Sequence, residues 1–130
     1  MKHLTLILLL FMTCAWVQAP EDDRGYIVKV GDKAPDIELI FPDGIKKQLK
    51  DLKGKIVMLQ FTASWCGVCR KEMPFIEKDI WLKHKDNPDF VLYGIDLKES
   101  KEVVKKFAKE TGITYPLLLD PEGKAFYSFA

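Results

Sequence analysis

Two kinds of apolar pattern alternate along this chain. Ile56-Val57-Met58-Leu59-Gln60-Phe61 and Phe90-Val91-Leu92-Tyr93-Gly94-Ile95 are nearly continuous apolar runs, which predict strands covered on both faces. Leu117-Leu118-Leu119 is a third, shorter run. Between the first two, the stretch from Cys66 to about Lys85 spaces Cys69, Phe75, Ile76, Ile80 and Leu82 among charged residues, a pattern that suits a helix. Pro74 inside it predicts a kink. Ser100 is placed to cap a second helix, with Val103, Val104, Phe107 and Ala108 on one face and Gly112 as its stop.

Ahead of these lie two short strands, Ile37 to Phe41 and Ile45 to Leu49, around Pro42-Asp43-Gly44. Proline presets the first turn position and glycine supplies a positive φ. Asp120-Pro121-Glu122-Gly123 predicts a further turn, and Phe126 to Ala130 reads as the beginning of another element. The order is hairpin, strand, helix, strand, helix, strand. That order predicts an α/β fold with helices packed on the faces of a sheet.

Composition narrows the picture little but charge narrows it usefully. The 130 residues are 48% hydrophobic and 30% charged, as in a folded domain. Lys plus Arg number 20 against 19 Asp plus Glu, so there is no basic excess to hold a phosphate backbone, and nucleic acid is not an expected partner.

The first residues read as an address. Met1-Lys2-His3 is basic, and Leu4 to Phe11 is apolar apart from Thr5, with Met12 extending the run. It is too short to span a bilayer and has the form of a secretory signal over residues 1–19, ending at Val17-Gln18-Ala19. Phe11-Met12-Thr13-Cys14 is also a loose lipobox, which would make Cys14 a lipid-bearing N-terminus and a membrane anchor. The plainer reading keeps Cys14 inside the signal. Either route predicts an exported, periplasmic protein, in a compartment where disulfides persist. Residues 20–25 are then a polar linker, and the domain occupies 26–130.

The chemistry sits at Trp65-Cys66-Gly67-Val68-Cys69, directly after one apolar run and at the start of a helix. A Cys-x-x-Cys pair inside a strand–helix–strand pattern is a thioredoxin-like redox signature. Residues i and i+3 at a helix start face the same way, so the two sulfurs can close a small ring. Cys66 at the helix N-terminus meets unpaired N–H groups and the positive end of the dipole, which favour a thiolate. Cys69, one turn further in, is expected to be more buried and less acidic. Cys66 is therefore the expected nucleophile and Cys69 the thiol that resolves the mixed disulfide. A zinc site would need two further ligands, and only His3 and His84 remain. A purely structural bridge, in an interaction module, is the other alternative. No cofactor is implied, because the cysteines store the two electrons themselves.

Phe61-Thr62-Ala63-Ser64-Trp65-Cys66-Gly67-Val68-Cys69-Arg70-Lys71-Glu72-Met73-Pro74 resembles the active-site segment of the TlpA-like branch of the thioredoxin superfamily. Val30 to Ile37 and Asp51-Leu52-Lys53-Gly54-Lys55 resemble that branch's N-terminal hairpin and its lead-in to the active-site strand. The resemblance implies a thioredoxin-like fold, with a central mixed sheet flanked by helices and an N-terminal β-hairpin extension. It implies an exported thiol–disulfide oxidoreductase whose partners are cysteine-containing proteins and a thiol reductant or oxidant. Carried over by residue, Cys66 and Cys69 match the nucleophile and resolving thiol, Trp65 the aromatic shield of the disulfide and Pro74 the helix-kinking proline. Glu72 matches an acid that some members use to move protons near the buried cysteine. It lies three residues after Cys69, on the same side of the helix, where partial burial would raise its pKa. As a bare helix charge beside Arg70 and Lys71 it would do nothing of the kind.

Two departures stand out. Val68 occupies the place where thioredoxin has proline, leaving the direction of electron flow open. The family's cis-proline, hairpin and closing helix have no clear match: Tyr115-Pro116-Leu117-Leu118-Leu119-Asp120 resembles an earlier family segment. On that reading the domain is truncated; alternatively Pro116 is itself the cis-proline. Peroxiredoxins share the fold, but their peroxidatic cysteine needs Thr three residues before it and Pro seven before, where this chain has Ala63 and Leu59.

Overall fold

The computed structural model describes residues 25–130. The signal segment 1–19, Cys14 and most of the linker lie outside the described residues. The elements run β1 (Glu38–Ile40), β2 (Lys46–Gln48), a 3-10 turn (Leu49–Leu52), β3 (Ile56–Thr62), α1 (Gly67–Ile76), a π turn (Glu77–Trp81), α2 (Leu82–His84), β4 (Phe90–Leu97), α3 (Lys101–Thr111), β5 (Leu117–Asp120) and α4 (Lys124–Phe129). The strands form one mixed sheet in the order β2-β1-β5-β4-β3. β3, β4 and β5 run parallel, and the β1–β2 hairpin joins them antiparallel through Ile40 against Leu119. This is a thioredoxin-like α/β fold.

Local chemistry sets the turns and caps where the pattern put them. In the hairpin, Gly44 takes φ 90° and the Asp43 carboxylate accepts the Ile45 N–H at 3.0 Å. Ser100 Oγ accepts the Val103 N–H at 3.4 Å, and Gly112 ends α3 in the left-handed conformation, φ 70°. Asp120 accepts the N–H groups of Ala125 and Phe126, holding the start of α4.

Apolar residues sort to the two faces of the sheet. Leu92 of β4 and Leu117 of β5 pack with Met73, Ile76, Val104 and Phe107 from α1 and α3. Their neighbours Ile95 and Leu118 face the other way, with Ile37, Leu39 and Ala125. β4 is thus covered on both faces, as its continuous apolar run predicts. Its Gly94 has a packing reason: a β-carbon there would sit 2.5 Å from Leu117 Cδ1 and 3.3 Å from the Tyr115 ring.

β3 differs from expectation. Its run is as apolar as that of β4, yet it is the outer strand of the sheet, paired with β4 alone among the described residues. Ile56 is 67% exposed. β3 borders an open groove of about 1460 Å³ that Leu59, Phe61, Glu72, Phe126 and Phe129 help to line. Continuous hydrophobicity says that a strand is apolar; it does not say how many layers cover it.

Helix α1 also departs in detail. It runs through Pro74, and the irregularity follows as the π turn at Glu77–Trp81, begun where the Glu77 N–H reaches both Met73 O and Pro74 O. The π turn places Glu77, 8% exposed, to accept the N–H and hydroxyl of Thr114 at 2.8 and 2.6 Å. That carboxylate ties the helix to the segment entering β5. No cis peptide bond occurs among the described residues, so Pro116 does not serve as a cis-proline here.

Candidate active site

Strand β3 delivers the chain through Ala63, Ser64 and Trp65 to Cys66, which caps α1. Cys66 has extended backbone (φ −79°, ψ 99°), its N–H bonds to Ala63 O at 3.0 Å, and its carbonyl accepts the Arg70 N–H. The next N–H groups belong to the first turn of a helix and lack carbonyl partners within it. One of them, from Cys69, donates to Cys66 Sγ at 3.2 Å. Cys66 and Cys69 are joined as a disulfide, with S–S 2.04 Å and Cα–Cα 5.3 Å. The Cα separation lies inside the usual range for an unforced bridge.

Both cysteines are partly exposed, so the expected contrast between an accessible Cys66 and a more buried Cys69 is not marked in this oxidised state. A ring of four residues at the mouth of a helix has little depth in which to hide either sulfur. Trp65 and Val68 beside them are 72% and 77% exposed, making an apolar rim around the bridge. Trp65 therefore stands open to solvent.

Glu72 corrects the expectation more sharply. It lies on α1 after Cys69, but it is exposed and edges the groove beside β3 rather than being partly buried against a thiol. Helical spacing gave its side of the helix correctly. Burial depends on what packs there, and α1 turns that side toward the open flank of β3.

The supports of the site come from residues that spacing does not connect. Ser64, two before Cys66, donates its N–H and its hydroxyl to the Glu99 carboxylate, each at 2.6 Å. Its carbonyl accepts Arg70 Nε at 2.6 Å, and Arg70 Nη1 continues to Glu110 of α3 at 3.0 Å. The guanidinium also lies over the buried Phe107 ring, 4.8 Å from its centre. Burial pushes Glu99 up, but the bonds from Ser64, the Asp96 carboxyl and the Arg70 charge together outweigh it and hold this carboxyl below its ordinary value. The loop into Cys66 is thus gripped from β4's end and from α1 together. Only the position of Ser64 next to the motif could have hinted at this. Among the described residues, no group of three or more His, Cys, Asp or Glu is arranged to hold a metal ion.

Comparison with known proteins agrees with this geometry. The redoxin family profile matches residues 29–130. The chain is 38% identical over 97 residues to the thioredoxin-like protein YneN of Bacillus subtilis, covering 74% of this chain and 56% of that protein. It is 35% identical over 127 residues to the thiol-disulfide oxidoreductase ResA of Oceanobacillus iheyensis, covering 95% of this chain and 65% of the relative. The chain thus spans less than two thirds of the length of either relative. Among solved structures, that of a candidate protein disulfide isomerase from Bacteroides thetaiotaomicron is 64% identical, with a TM-score of 0.78 over 82% of this chain and 67% of that one.

Proposed function

From a chain that belongs to the redoxin family, and within it to the ResA/TlpA-like branch of the thioredoxin superfamily, we propose a thiol–disulfide oxidoreductase that exchanges disulfides with partner proteins through Cys66 and Cys69. The observation that carries this reading is the bridge itself: it closes across the first turn of α1, with a backbone donor on Cys66 Sγ. A donor and a helix N-terminus stabilise negative charge on that sulfur more than on the one inside the helix.

The reaction balances in two exchanges. In the reduced protein the Cys66 thiolate attacks one sulfur of a partner disulfide, forming a mixed disulfide and releasing the partner's other thiolate. Cys69, once deprotonated, then attacks Cys66 Sγ, which frees the partner as a dithiol and leaves the Cys66–Cys69 bridge. Two electrons pass to the partner, and the protons from the two thiols end on its sulfurs. The same steps reversed oxidise a partner dithiol. Trp65 and Val68 supply an apolar surface on which an unfolded or extended partner segment can lie. Glu72, three residues after Cys69 on the same side of α1, is assigned the exchange of the Cys69 proton with solvent on that spacing, not on burial. The exported setting rests on the pattern of residues 1–19.

Titrating both thiols of the reduced protein tests these roles. Cys66 is expected to ionise below the free-thiol value of about 8.5 and Cys69 above Cys66. Glu72→Gln should move the Cys69 ionisation and slow resolution while leaving Cys66 in place. Equal, ordinary ionisations of the two sulfurs would remove the assigned order of attack. An unchanged Cys69 in the variant would remove Glu72 from the mechanism.

A further inference from the structure

We propose that Asp96 and Glu99 share a single proton, and that this proton positions Ser64 and so the loop carrying Cys66. The coupling to Cys66 rests on the exchange function above; the shared proton does not. Asp96 is the last residue but one of β4, in register with Thr62 of β3 and Leu119 of β5, and it is 0% exposed. Neither of its carboxyl oxygens meets a donor. The Glu99 carboxyl, three residues on, lies within hydrogen-bonding reach of it. Asp96 has neither solvent nor a donor of its own to hold it as an anion, and beside the Glu99 carboxylate it keeps a proton.

The backbone between the two acids is constrained. Lys98, between the two acids, is the single non-glycine residue with positive φ (58°) among those described. Its N–H is fixed on Asp120 O at 2.9 Å, and its ammonium is drawn away to Tyr127. This left-handed step stands directly before Glu99, whose carboxylate bonds Ser64. Glu99 spends both oxygens on Ser64, so Asp96 is the member of the pair left to donate.

The surrounding charges leave this assignment intact. Arg70 from α1 faces Glu99 and favours its anion, and Glu110 from α3 pairs with the same guanidinium. β3 presents Thr62, the loop after it presents Ser64, and Asp120 of β5 turns its carboxylate to α4. Cys66 and Cys69 carry no charge while bridged. Burial, the Glu99 hydrogen bond and the Glu99 charge together push Asp96 up to about 8. In the unfolded chain the same carboxyl ionises near 4, so folding takes up a proton between about pH 4 and pH 8, and stability falls as pH rises through that window. When the proton leaves, Glu99 faces an anion and its hold on Ser64 weakens.

Carboxyl carbon and amide NMR titrations of the oxidised protein read the pair without any thiol chemistry. Asp96 is expected to titrate near pH 8, and the Ser64 amide to shift with the same midpoint. In Asp96→Asn, whose amide donates to Glu99 at every pH, the Ser64 shift should be lost. In Glu99→Gln, whose amide can donate to Asp96, the Asp96 midpoint should fall by about one unit or more. Asp96 titrating near 4, or a Ser64 amide indifferent to it, overturns the shared proton. The reduced protein then reads the coupling. The wild-type Cys66 alkylation profile should show a second step at the Asp96 midpoint that Asp96→Asn lacks. Identical profiles would overturn the positioning of Cys66 while leaving the exchange function standing.

Discussion

Cys66→Ser should abolish catalysed reduction of insulin by dithiothreitol, a fall of about 100-fold or more to the uncatalysed background. Serine at the cap of α1 can still accept the Cys69 N–H, so the helix start is preserved and the loss reads chemistry. Cys69→Ser should behave differently. Its Cys66 still attacks a partner disulfide, but nothing within the site can attack Cys66 Sγ in return. Mixed disulfides should therefore accumulate in cells, seen as reducible bands on a non-reducing gel. A Cys66→Ser/Cys69→Ser double variant controls for Cys14. Capture by Cys66→Ser instead of Cys69→Ser would exchange the two roles. Capture by neither, from an active parent, would dissolve them.

The second large effect concerns stability. Phe107 is 1% exposed and packs in the core face with Met73, Val104 and Ile113. Phe107→Ala is expected to cost about 4 kcal/mol, from lost burial and from the cavity left behind. That is a large share of the roughly 5–15 kcal/mol that holds a domain together, and it should show as a lower urea midpoint with an unchanged slope. The same ring supports Arg70, which grips Ser64 O. The surviving folded fraction should therefore also show altered Cys66 reactivity. A loss below about 1 kcal/mol would mean that the cavity collapses freely, contrary to the packing described.

What was legible in the chain beforehand was local. The hairpin turn at Asp43-Gly44, the Ser100 cap and the Gly112 stop each act through bonds to residues two or three positions away, so their chemistry is written in adjacent letters. The Cys66–Cys69 pair belongs to the same class, since one helical turn brings the sulfurs together. Layering was not legible. Ile56 to Phe61 and Phe90 to Ile95 are alike in composition, yet one strand lies outermost and the other between two helical layers. Nor was the support of the site. Ser64 and Glu99 stand 35 positions apart and meet only because β3 and β4 are adjacent. Glu72 shows the limit from the other side: its spacing placed it correctly on α1, and the open flank of β3 left it exposed.

The most direct measurement is the reduction potential of the Cys66–Cys69 couple, taken by equilibration in glutathione or dithiothreitol buffers. A bridge that exchanges with partners should lie between about −270 and −120 mV, within reach of cellular thiol systems. A value below about −300 mV would mark a bridge that physiological thiols leave closed, and the exchange function would fall with it.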